Sequence, residues 1–141
     1  ILTTSGKSYL HPTYILDVVQ GFEKAIGNPN AFNEIFNISA EEDVTVLEYL
    51  STIADCVQSK LIHINMGYGL SILSAGLIEL LYKTFVKKEA FVSKNKIDFL
   101  SIHHSTCNDK AKEKINYHPE FSIQKGLSAT IEWCRQENLL N

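Results

Sequence analysis

HPTYILDVVQGFEKAI, residues 11–26, followed by EIFNIS at residues 34–39, decides how this chain folds. Val18, Val19, Phe22 and Ile26 fall on one face of a helix, and Asp17 stands before them as the expected N-cap. Gly27-Asn28-Pro29 stops that helix. Ile35, Phe36 and Ile38 then form an apolar run too short for a helix and flanked by polar residues, which predicts a buried strand. A helix leading directly into a buried strand is the signature of a mixed α/β layer.

Working outward, Thr45-Val46-Leu47-Glu48 fits a capping box, in which hydroxyl and carboxylate each satisfy a free backbone N–H. Val46, Leu47, Leu50, Ile53, Ala54 and Val57 continue one face of the helix it opens. Leu61–Asn65 predicts a strand with Ile62 and Ile64 on one side and His63 on the other. The apolar stretch from Tyr68 to Val86 predicts a helix packed between protein layers. Lys96–Cys107 alternates well enough to predict a strand carrying His103 and His104 on opposite faces. Asn108 is expected to cap a short helix reaching Ile115, and Ser122 a last one with Ile123, Leu127, Ile131 and Cys134 in line. The fold class is therefore mixed α/β, read as a single domain over 1–141. Its three or four short strands are too few for so many helices, so some are expected to complete a sheet encoded upstream of Ile1.

With 141 residues, 45% of them hydrophobic, the chain suits one core without staples. Thirteen basic and sixteen acidic side chains give 13 − 16 = −3, well interspersed, which excludes an electrostatic surface for nucleic acid. Cys56, Cys107 and Cys134 lie far apart without CxxC spacing, which argues against a disulfide framework or structural zinc and for a reducing cytoplasm. Glu79, Lys83, Ser71 and Ser74 interrupt the 68–86 segment, so no membrane span is expected there. The Thr3-Thr4-Ser5-Gly6-Lys7 opening looks like a connection, and the chain is expected to be a fragment.

No residues assemble a self-sufficient active site. Gly67-Tyr68-Gly69 lacks the third glycine of a dinucleotide loop. None of His11, His63, His103, His104 and His118 pairs with another at a helical metal-ligand spacing. What remains are candidates for binding a polar substrate: His11 and Tyr14, which run into a helix start as hydrogen-bond donors, and the adjacent His103 and His104, one of whose rings can enter a ligand pocket. Each has a plainer reading, as a core residue or a polar strand edge.

The stretches at 11–26 and 34–39 resemble the signature of extended short-chain dehydrogenase/reductases, in which an x-Asp-Val helix leads into a Tyr/Phe-Asn-Ile-Gly strand. Asp109–Cys134 (DKAKEKINYHPEFSIQKGLSATIEWC) is similar to that family's closing Ser-Lys-Ala, Gly-Tyr-x-Pro, Glu-Gly-Leu and Trp pattern. Thr45–Val57 and the Gly67–Leu70 entry to an apolar helix also agree, in the same order from about residue 9 to residue 139. The resemblance implies a C-terminal substrate-binding part whose missing N-terminal Rossmann domain carries the glycine-rich turn and the YxxxK catalytic helix and binds NAD or NADP. No catalytic or cofactor-binding residue is transferred to this chain, which the resemblance implies is inactive alone.

The leading function implied is that of a nucleotide-sugar epimerase or dehydratase. The alternatives are a 3β-hydroxysteroid-type dehydrogenase, suggested by the apolar helix and the His103-His104 pair, and a non-catalytic binding module. Leu10, His11 and Pro12 stand where many sugar-nucleotide enzymes have an arginine, and His104 and Cys107 where arginine and aspartate are common, which removes bidentate pyrophosphate contacts. The partners expected are the chain's own N-terminal domain, a small-molecule substrate (nucleotide sugar or hydrophobic alcohol), and a second copy in a homodimer joined through an orphaned strand edge.

Overall fold

The computed structural model describes residues 5–65, 67–86 and 93–140. Among them the order is β1 (Tyr9–Leu10), α1 (Ile15–Ala25), a 3₁₀ turn at Pro29–Ala31, β2 (Val44–Thr45) and α2 (Val46–Cys56). Then follow α3 (Tyr68–Leu81), continued by a π-helical turn at Tyr82–Val86, α4 (Lys94–Ser101), α5 (Asp109–Ile115) and α6 (Ile123–Gln136). The mixed helix-and-strand class is the one expected. Its sheet is a two-stranded antiparallel ribbon, Tyr9 opposite Thr45 and Leu10 opposite Val44.

The first helix starts earlier than the sequence suggested. Tyr14 occupies the N-cap position without a side-chain cap, and Asp17 is the third helical residue, only 1% exposed. Its Oδ1 accepts the Glu120 backbone N–H at 2.8 Å, so a carboxylate expected to cap α1 instead pins the loop ahead of α6. Oδ2 is buried without a hydrogen-bond partner among the described residues.

Residues 34–40 run extended across α1, where Ile38 presses on Gly21 so closely that a Cβ there would meet Ile38 Cδ1 at 2.8 Å. The strand expected at 34–39 forms no ladder, because no other strand among the described residues lies beside it. Phe36 and Ile38 still turn inward onto the core formed by Ala111, Ile115 and Tyr117, while Ile35 is 84% exposed. Truncating a core residue such as Ile115 to alanine costs about 2–5 kcal/mol.

Two side chains lock this segment. The fully buried Tyr117 donates its hydroxyl to Ser39 O at 2.9 Å, and Asn108 Nδ2 donates to Ser39 O and Ala40 O, each at 3.0 Å. Asn108 does precede α5, but its amide serves 39–40 rather than the helix end. Asn116, in the left-handed region at φ 53°, ends α5 and turns Tyr117 inward.

The other helix ends follow the sequence. Thr45 and Glu48 form the capping box reciprocally, Glu48 N–H to Thr45 Oγ1 at 3.2 Å and Thr45 N–H to Glu48 Oε2 at 3.0 Å. Ser122 Oγ accepts the Lys125 N–H at the start of α6. The segment 61–65 is extended with a single bridged residue, His63, and Ile62 and Ile64 lie at the surface, so the expected strand does not form there.

A larger difference concerns Lys96–Cys107. Ser93 Oγ accepts the Lys96 N–H and opens helix α4, which runs to Ser101 before the chain becomes extended. Alternation over so few residues fits both periods, and burial of Ile97 beside α3 decides for the helix. α3 itself does not lie between layers: Ser71 and Ala75 are buried, but Leu70, Leu73, Leu77, Leu80 and Leu81 are exposed.

Candidate functional site

The end of α4 is tied to β1. Ser8 Oγ donates to Leu100 O at 2.5 Å and His104 N–H donates to Tyr9 O at 2.8 Å. His103 Nδ1 accepts the Tyr9 N–H at 3.2 Å with its ring tilted on the Tyr9 ring, while the His104 ring stacks on Phe99 at 4.5 Å. The two imidazoles have different neighbours, but the strand expected to carry them on opposite faces does not form and they follow helix α4 instead.

His11 lies two residues beyond Tyr9 in the same cluster. Its Nε2 is 2.9 Å from Ala40 O, and its Nδ1 is 3.1 Å from Thr106 N and 3.0 Å from Asp43 Oδ1. A neutral ring protonated at Nε2 donates to Ala40 O and accepts the Thr106 N–H at Nδ1, beside the Asp43 carboxylate. Asp43 is oriented by Ser105 Oγ at 2.9 Å. His11, His103 and His104 thus gather around β1.

Tyr14 is elsewhere. Its ring packs on Phe121 at 4.5 Å and closes over Gly126 of α6, where a Cβ would stand 3.1 Å from Cδ2. It borders an open pocket of about 540 Å³ with Thr13, Ile15, Thr130 and Trp133.

An open pocket of about 470 Å³ lies where α3 meets α4, lined by Ser5, Gly67, Tyr68, Asp98, Ser101 and Ile102. The Tyr68 hydroxyl donates to Asp98 Oδ1 at 2.6 Å, and that carboxylate pushes the phenol pKa up. The arrangement offers a carboxylate, a phenol and a serine hydroxyl to a hydroxylated ligand, with Ile102 as an apolar wall. Sequence reading missed Asp98 and Ser101 because the segment was assigned to a strand; the Ser93 cap was the available signal. A third pocket of about 500 Å³ is acidic, bordered by Glu41, Glu42, Asp43, Glu48 and Glu120. It repels phosphate.

Among the described residues that line these pockets there is no lysine or arginine. Arg135, the one arginine in the sequence, donates to Cys56 O at 2.7 Å between α6 and α2. The residues present do not form a dinucleotide cradle either. Gly67 has φ +72° and precedes α3, but Gly67-Tyr68-Gly69 lacks the third glycine of a dinucleotide loop and no β-strand among the described residues leads into it. No group of three or more His, Cys, Asp or Glu side chains that could hold a metal ion occurs among the described residues.

No protein-family model and no curated protein matches the chain. Solved structures do. An epimerase from Methanothermobacter thermautotrophicus superposes with TM-score 0.67 at 17% identity over 98% of this chain and 33% of its own. A UDP-glucose 4-epimerase from Thermotoga maritima, solved with UDP-glucose, gives 0.63 at 18% identity over 97% of this chain and 35% of its own. A UDP-glucuronic acid 4-epimerase from Bacillus cereus, solved with UDP-glucuronic acid and NAD, gives 0.61 at 17% identity over 96% of this chain and 35% of its own. The likeness is one of fold, and the chain spans about a third of the length of these proteins.

Proposed function

We propose, from the premise that this chain has the fold of part of an extended short-chain dehydrogenase/reductase, that it is the C-terminal substrate-binding unit of an NAD(P)-dependent nucleotide-sugar epimerase or dehydratase. The observation that carries the reading is the match of nearly the whole chain, in one piece, to nucleotide-sugar enzymes three times its length. In this account residues 1–141 form one unit, inactive alone, working in the cytoplasm with a dinucleotide-binding domain of the same protein.

NAD(P) supplies hydride transfer when bound, and its site belongs to that other domain, because the residues described here fit no cradle. Binding and orienting the substrate is the part left to this chain. Tyr68, Asp98 and Ser101 are the groups proposed to take substrate hydroxyls; His103 and His104 follow α4 against Tyr9 and Phe99, while His11, beside Asp43, and Tyr14, against Phe121, are proposed for the substrate from outside this pocket. Asp98 holds the Tyr68 hydroxyl as a donor, which leaves the phenol oxygen lone pairs and the second carboxylate oxygen for the ligand.

Docking of the second domain is supported by an uncovered surface. Ile15, Val19, Phe22 and Ile26 recur along α1 at i, i+4, i+7 and i+11 and are all exposed. Beside them Ile35, Phe36 and Ile38 make no backbone hydrogen bond among the described residues, leaving a strand edge ready to be paired. Titration of the full-length protein with UDP-glucose and UDP-glucuronic acid tests the substrate. Saturable binding supports the reading; no binding at millimolar levels ends it.

A second reading, a hydroxysteroid-type dehydrogenase acting on a hydrophobic alcohol, is favoured by the apolar and uncharged or acidic character of the described residues that line the pockets, none of them a lysine or arginine. A diphosphate ordinarily requires arginine or lysine. Turnover of a hydrophobic secondary alcohol, with none of a nucleotide sugar, selects it.

A further inference from the structure

We infer that the pocket between α3 and α4 seats a protonated amine of its ligand, so that the sugar recognised there is an amino sugar. This deepens the reading of that pocket as the substrate site and rests on it. What decides between amine and hydroxyl is where the protons of the pocket already go.

The Tyr68 hydroxyl gives its single proton to Asp98 Oδ1 at 2.6 Å, and Ser101 Oγ gives its own to Ile97 O at 2.7 Å. The backbone N–H of Gly67 goes to Asn65 Oδ1 at 3.3 Å. Asp98 Oδ2 makes no hydrogen bond among the described residues. Of the described side chains that line the pocket, Ser5 alone keeps a proton to offer, its oxygen accepting the Lys7 N–H at 3.4 Å. A ligand therefore meets acceptors: the Asp98 carboxylate, the Tyr68 phenol oxygen and the Ser101 oxygen. Asp98 and Ser101 stand three residues apart on one face of α4, and Tyr68 reaches the same carboxylate from the start of α3.

A hydroxyl brings one proton and two lone pairs, so it satisfies one of these acceptors and leaves two. An ammonium brings three protons and no lone pair, and it satisfies all three. Charge points the same way. Asp98 carries the one formal charge among the described residues that line the pocket. Its hydrogen bond pushes the Tyr68 pKa up, so the phenol stays neutral and offers lone pairs only. The first turn of α3 and the last turn of α4 meet here with opposite dipole ends, which offset each other and leave the carboxylate to set the sign.

Calorimetric titration of the full-length protein with UDP-glucose, UDP-glucosamine and the isomer with its amine on the fourth ring carbon tests the inference. One of the two amino sugars is expected to bind about tenfold tighter than UDP-glucose, the gap between a charge-assisted and a neutral hydrogen bond. The preference should fade as pH rises above the pKa of the ligand amine. Asp98→Asn, an isosteric change at a half-buried position, should bring amine and hydroxyl within about twofold, while Tyr68→Phe, which keeps the carboxylate, should preserve the preference. Equal affinity of amine and hydroxyl, or a preference that survives Asp98→Asn, overturns the proposal and leaves the nucleotide-sugar reading standing. If no UDP-sugar binds, that reading falls instead, and glucosamine against glucose, followed by NMR, decides the amine alone. Shifts of the Tyr68 and Asp98 resonances with glucosamine only sustain the proposal; shifts with both sugars or with neither overturn it.

Discussion

The clamp on residues 39–40 predicts a specific failure of additivity. Ser39 O accepts from both Tyr117 and Asn108, and Ala40 O from Asn108 and His11. Tyr117→Phe removes one donor and leaves Asn108 on the Ser39 carbonyl, at an expected cost of about 1 kcal/mol. Asn108→Ala removes two hydrogen bonds, but each carbonyl keeps one partner, so about 2 kcal/mol is expected. With both changes the Ser39 carbonyl is stranded in the interior without any donor, which adds a desolvation penalty of about 1–2 kcal/mol beyond the sum of the singles. Urea unfolding of the four proteins, followed by circular dichroism and compared at constant slope, measures the cycle. Additivity within about 0.5 kcal/mol would refute the reasoning, since the two donors would then not share one buried acceptor.

Burial, with Asp17 and Glu41 adding negative charge nearby, pushes the Tyr117 hydroxyl up from 10 to about 12. Its contribution is full below pH 10 and is lost as pH rises toward 12, a limb of roughly 2 kcal/mol that Tyr117→Phe should abolish in alkaline unfolding curves. Hydrogen bonds from Lys110 and Lys114 hold Glu34 down from 4.5 to about 2. Its contribution is present above pH 4.5 and lost as pH falls toward 2, and Glu34→Gln should flatten that acid limb, as should high salt. At Gly21 an added methyl collides with Ile38, so Gly21→Ala should destabilise by about 1–2 kcal/mol in spite of its better helix propensity, and Ile38→Val in the same protein should recover part of the loss.

Sequence patterns identified the helices whose ends are built locally. Thr45 and Glu48 satisfy each other across three residues, and Ser122 caps the next turn, so nothing distant is needed to recognise either. Long-range partners explain the rest. Asp17 looked like a cap because its actual partner, the Glu120 backbone, lies 103 residues away in sequence. The segment 34–39 has the composition of a buried strand, and its inner face is indeed packed, but strand pairing needs a neighbour that the described residues do not contain. In Lys96–Cys107, Leu100 and Ile102 fit alternation whereas Ile97 and Leu100 fit a helical face, and burial of Ile97 beside α3 resolves the choice. The histidine candidates were visible as residue types, whereas their clustering on β1 arises from contacts such as Thr106 N–H to His11, 95 residues apart. Asp98 as the partner of Tyr68 was hidden for the same reason as α4.

The central claim is that this chain supplies the substrate side of a nucleotide-dependent enzyme, and the coding sequence upstream of Ile1 tests it most directly. The account predicts a preceding domain that carries GxxGxxG after a first strand and, further on, YxxxK on a helix. An open reading frame with neither motif would contradict it and leave a binding module that has the fold without the chemistry.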